Sequence, residues 1–148
     1  MTGNGISTDS MRRIDRWAGV PLCALATVVL KLWWRLSSRP QRPVQRVLFI
    51  ELSEMGSTIL ADPAMRKVRE RSGAELFFVI FADNAGSLDL TTTIPRGNIF
   101  TISSRSLWSL TIDTLRFLAW TRRNAIDAVV DFELFSRFSG LLTGLSGA

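Results

Sequence analysis

Histidine and tyrosine are absent, and cysteine occurs once, as Cys23. Without histidine there is no Ser-His-Asp or Cys-His catalysis, no histidine metal ligand and no ordinary proton shuttle near neutral pH. A single cysteine builds neither a disulfide framework nor a thiolate zinc site. No metal site and no cofactor are expected from what remains. The 148 residues are 47% hydrophobic and 21% charged, which is too apolar for a disordered chain and ample for one domain with a core.

Positive charge is scarce where a fold is expected. Residues 1–46 hold eight basic residues against Asp9 and Asp15, whereas residues 47–148 hold ten basic and eleven acidic ones. The net charge of +5 therefore belongs to the N-terminal segment. A nucleic-acid protein spreads cations over a folded face, so no nucleic-acid partner is expected.

Residues 1–11 are small and polar and read as a disordered tail. Residues 12–38 are expected to form an amphipathic or membrane-anchoring helix. Its uncharged run, Ala18 to Leu30, is shorter than the roughly 18–20 residues a spanning helix needs. At about 100° per residue, Arg12, Arg13, Arg16, Lys31 and Arg35 share a sector of about 140°. Leu25, Val28, Val29, Leu32 and Trp33 lie outside that sector, as in a helix lying in a lipid interface. Gly19 and Pro21 interrupt that phase. A spanning anchor and a helix packed on protein stay open beside the membrane-surface reading, while Lys31, Trp33, Trp34 and Arg35 make poor flanks for signal cleavage. Residues 39–45, with Pro40 and Pro43, read as a linker.

From Arg46 the pattern changes. Val47–Ile50, Leu76–Phe81, Asn98–Ile102 and Ile126–Val130 are short apolar runs that read as buried strands. Helices are expected over 58–71, with Ile59, Leu60, Ala64, Met65 and Val68 inward and Pro63 in the first turns. A second helix over 106–123 should turn Leu107, Leu110, Leu115 and Leu118 inward. A short helix at Asn84–Leu90 and a last helix from Glu133 complete the pattern. Alternating strands and helices predict an α/β fold, a Rossmann-like parallel sheet with helices on both faces. In a 3-2-1-4 order, strand four is left as an open edge.

Ligands of such sheets sit beyond the carboxyl ends of the strands, which singles out two turns. In the Leu52–Thr58 turn, helix N–H groups suit an anion, Gly56 allows close backbone approach, and Ser57 and Thr58 offer hydroxyls or simply cap the helix. That turn is neither G-x-G-x-x-G nor a P-loop. Four acids, Glu51, Glu54, Asp131 and Glu133, fall at strand ends as candidate bases or as solvated carboxylates near helix N-termini. Ser136 and Arg137 are candidate ligand contacts.

The stretches Arg46–Arg66 (RVLFIELSEMGSTILADPAMR) and Ile126–Arg137 (IDAVVDFELFSR) resemble the N-terminal domain of glycosyltransferase family 9, the heptosyltransferase family of lipopolysaccharide core assembly. Met55-Gly56-Ser57 and Pro63-Ala64-Met65-Arg66 match that family's Met/Leu-Gly-Asp turn and Pro-Ala-Leu-Arg stretch. The resemblance implies residues 46–148 as part of the acceptor-side half of a GT-B enzyme. A nucleotide-sugar would be its donor, bound by a second domain, and a lipid-linked glycan its acceptor. It implies acceptor contacts at Met55, Gly56, Ser57, Thr58, Asp131, Glu133, Ser136 and Arg137. Ser57 stands where the family has its acid, and a serine is no base by itself. Glu54 is the candidate in its place. The chain is expected to be a fragment inactive alone, at the cytoplasmic face of a bacterial inner membrane, as the Arg-rich flank and lone cysteine suggest. A non-catalytic ligand- or partner-binding module is the alternative.

Overall fold

The computed structural model describes residues 43–133 and 136–148. The expected tail, the helix of residues 12–38 with Arg12, Arg13, Arg16, Lys31, Trp33, Trp34 and Arg35, and most of the linker lie outside the described residues.

Four strands form one parallel sheet: β1 (Arg46–Ile50), β2 (Glu75–Phe81), β3 (Ile99–Ile102) and β4 (Ala128–Asp131). The order is β3-β2-β1-β4, with Val47 opposite Leu76 on one side and Ala128 on the other. The strand order reverses between β1 and β4, which is the 3-2-1-4 arrangement considered above. Helix α1 (Met55–Ser72) covers one face, and α2 (Leu107–Arg123) and α3 (Arg137–Leu145) cover the other. On the α1 face, Val47, Phe49, Leu76, Phe78 and Ile80 pack with Met65 and Leu88. On the α2 face, Leu48, Ile50, Phe77 and Val79 pack with Phe117 and Leu142. Alternating side chains of β1 and β2 thus feed two cores, which is why these strands read as continuous apolar runs. Among the described residues strand β4 pairs only with β1, and Val130 and Asp131 on it are exposed.

The helices depart from the sequence reading. Helix α1 begins at Met55, three residues early, so Pro63 lies in its interior rather than its first turns. A proline there removes the N–H that the Ile59 carbonyl would take. The inward face is Thr58, Met65 and Asp62, with Ala61 and Val68 beside them, while Leu60 is 82% exposed and Ile59 also faces out. Polar residues turn inward on the strength of a partner each, although the Asp62 Oδ1 is buried without a hydrogen bond. Thr58 donates to the Glu54 carbonyl, and Asp62 pairs with Arg66. Burial opposes the Asp62 charge, yet Thr93 and Arg66 hold its carboxyl below the usual range. In α2 the buried residues are Phe117 and Thr121, and Leu107 and Leu115 are exposed against expectation. The segment Ala82–Leu90 is a 3₁₀ helix, a second short one precedes β3, and the last helix starts at Arg137 rather than Glu133. Among the described residues no helix is long and apolar enough to cross a membrane.

Candidate functional site

The carboxyl ends of β1 and β4 lie side by side, with Ile50 opposite Asp131. Both strands continue past their last ladder pair. Glu51 N–H donates to the Val79 carbonyl (3.2 Å), and Phe132 N–H donates to the Ile50 carbonyl (2.8 Å). The chain then turns into α1, and this turn is held from two sides. Asn84, just past β2, donates its side-chain amide to the carbonyls of Leu52 (2.9 Å) and Ser53 (3.0 Å). From the β4 side, one Glu133 carboxylate oxygen accepts the N–H groups of Leu52 (2.8 Å) and Ser53 (3.2 Å). The other accepts the Ser53 hydroxyl.

Glu51 sits inside this arrangement. It is 2% exposed, not a solvated carboxylate. Its Oε1 accepts the Glu54 N–H at 3.3 Å. Burial pushes its carboxyl up to about 7, and the Glu133 charge adds to the shift, while the Glu54 N–H works against it. A carboxyl so placed exchanges its proton near neutral pH, the property that the missing histidines would otherwise supply.

The other expected residues are placed as follows. Glu54 is the exposed N-cap of α1, and its carboxylate takes the Ser57 hydroxyl at 2.8 Å. Met55, Gly56 and Ser57 belong to the first helical turn, not to a loop. Gly56 has no positive φ, so the expected elbow is a helix start. A Cβ there would meet nothing within 4 Å, which leaves the helix N-terminus open to approach. Thr58 is fully buried and donates its hydroxyl to the Glu54 carbonyl, so it is neither a ligand contact nor a cap; the N-cap is Glu54, which makes no side-chain capping bond. Asp131 is exposed and accepts the Glu133 N–H (3.0 Å) and the Thr143 hydroxyl (3.4 Å). Ser136 caps α3 by accepting the Ser139 N–H, and Arg137 opens that helix on its exposed side. The structure thus brings Glu51, Ser53, Glu54, Ser57, Asp131 and Glu133 to one rim, and Ser136 and Arg137 to the start of the following helix. Asn84 and Ser53 are not singled out by the sequence; the signal for Asn84 is its place three residues past the end of an apolar strand.

A parallel sheet that reverses its order at a polar rim has the architecture of the doubly wound α/β folds. The same fold occurs in the crystal structure of a glycosyl transferase family 9 protein from Veillonella parvula DSM 2008, with a TM-score of 0.57 over 73% of this chain at 14% identity. The chain spans 31% of that protein's length. No protein-family model matches the sequence, and no curated protein matches it.

Proposed function

We propose that this domain is the acceptor-side half of a glycosyltransferase, and that Glu51, poised by Glu133, takes the proton of the acceptor hydroxyl. The observation that carries the reading is the buried carboxyl at the β1/β4 reversal, paired with a second carboxylate. In glycosyl transfer the acceptor oxygen bonds to the anomeric carbon of the sugar as the bond to the nucleoside diphosphate breaks. The acceptor proton must go to a base, and a group near neutrality suits that step. Glu54, the base expected from sequence, stands at the mouth of the same rim. It is the competing candidate, and Met55, Gly56, Ser57 and the exposed Asp131 would line the acceptor's approach. The fold shared with a family 9 protein and the resemblance at residues 55–56 and 63–66 support a heptose-like sugar, a nucleotide-sugar donor and a lipopolysaccharide or other lipid-linked glycan as acceptor. The cationic segment before Arg46 supports a place on the cytoplasmic face of a bacterial inner membrane.

A second reading, a non-catalytic ligand-binding module, is favoured by one observation. Serine, not an acid, stands at position 57, and its hydroxyl is tied to the Glu54 carboxylate. The test is an acceptor titration of the full chain with a lipid-linked inner-core glycan, following the Glu51 carboxyl carbon by NMR. The transferase reading expects that resonance and its titration midpoint to move on binding, and Glu51→Gln to weaken the effect more than Glu54→Gln. A glycan that binds without disturbing Glu51, or that does not bind, contradicts it.

A further inference from the structure

Helix α2 has two apolar sides, and the core uses only one. Phe117 is buried, and Leu110, Leu118 and Trp120 pack against the sheet. On the other side Trp108 is 75% exposed, Leu115 63% and Leu107 52%. At about 100° per residue, Trp108, Thr111, Ile112, Leu115 and Ala119 fall in a stripe about 100° wide. Over residues 103–124 the charges are Arg105, Arg116, Arg122 and Arg123 against Asp113 alone. Asp113 is largely buried, accepting the Ser103 N–H (3.0 Å) and pairing with Arg116. The exposed face is therefore leucine, tryptophan and arginine.

The outer side of α1 is different in that an exposed acid, Glu70, stands among Arg66, Lys67, Arg69 and Arg71. A second copy of this chain, related by a two-fold axis, would set these arginines against their own counterparts. The N-terminal segment, eight basic residues against two acidic, carries the same sign and is repelled likewise. An anionic bilayer fits. Tryptophan and leucine enter the boundary between headgroups and acyl chains, and the arginines meet the lipid phosphates.

We propose that the outer face of α2, centred on Trp108 and Leu115, docks on an anionic lipid surface. The proposal is independent of the transferase reading, because lipid binding needs neither Glu51 nor a sugar. The full chain, with Cys23→Ser and Leu115→Cys, is spin-labelled and mixed with vesicles of phosphatidylethanolamine and phosphatidylglycerol, or of phosphatidylcholine alone. The label at 115 should gain oxygen contact and lose contact with a water-soluble nickel chelate on the anionic vesicles only. A label at Glu70→Cys, on the opposite face of the sheet, should not change. Trp108→Ser with Leu115→Ser, in a chain that keeps its thermal transition, should lower vesicle partitioning by about tenfold or more. Four outcomes overturn the proposal: a water-exposed label at 115 on a vesicle-bound chain, undiminished binding by the double variant, no binding of the chain to anionic vesicles, or concentration-dependent immobilisation at 115 without lipid.

Discussion

The two ends of β1 are braced by the same device. At the amino end, Asp127 accepts the N–H groups of Gln45 (3.0 Å) and Arg46 (2.9 Å). At the carboxyl end, Glu133 accepts those of Leu52 and Ser53. In each case a carboxylate flanking β4 ties β1 to its neighbour. The environments differ. Asp127 is exposed, and the nearby Arg46–Glu75 pair is half-open to water. Glu133 is half-buried and faces a second, fully buried carboxyl, Glu51. Fold maintenance requires the brace; it does not require a buried acid beside it, since burying charge is costly. The excess carboxyl is the group to which the proposed function assigns the acceptor proton.

The comparison breaks most visibly with pH. The Glu51 carboxyl is raised from 4.5 to about 7, so the folded chain binds more protons than the unfolded one between those values. Stability contributed by Glu51 is fully present below about pH 4.5 and lost as pH rises through about 7, by about 3 kcal/mol at most. Glu51→Gln keeps an oxygen for the Glu54 N–H and should flatten that slope in chemical denaturation, whereas Asp127→Asn should leave it intact. Next in size, Glu133→Ala removes the acceptor of two N–H groups and should cost about 2 kcal/mol, with relief of Glu51 offsetting part of the loss. Asp127→Ala, the same deletion at the exposed end, should cost about 1 kcal/mol. Urea midpoints on the two variants check that ranking.

The smallest effects sharpen a second contrast, between the ends of α1 and α2. Gly73 stops α1 with φ +66°, while Ala125, just past α2, holds φ +46°. Gly73→Ala should destabilise by about 1 kcal/mol, and Ala125→Gly should stabilise by a little less. Thermal midpoints moving in the same direction would contradict this.

How much was legible in the sequence follows from what each signal contains. The strands were readable because VLFI and LFFVIF are apolar on both faces, as a doubly covered sheet demands, whereas their order is not written in any local pattern. The helix faces were misread because periodicity counts apolar residues only. Thr58 and Asp62 turn inward on the strength of partners, and Leu60 and Leu115 turn outward. The rim was legible as a place, since β1 and β4 end in acids. The bond from Glu133 to Leu52 spans 81 residues, and no local pattern encodes which of four carboxylates is buried.

The most direct test is a pH titration of the Glu51 carboxyl carbon by NMR, in the chain as it stands and in Glu133→Gln. A midpoint near 7, moving down but not fully to 4.5 once Glu133 loses its charge, is what burial reinforced by a neighbouring carboxylate predicts. A midpoint near 4.5 in both, or one unmoved by the substitution, would contradict the account.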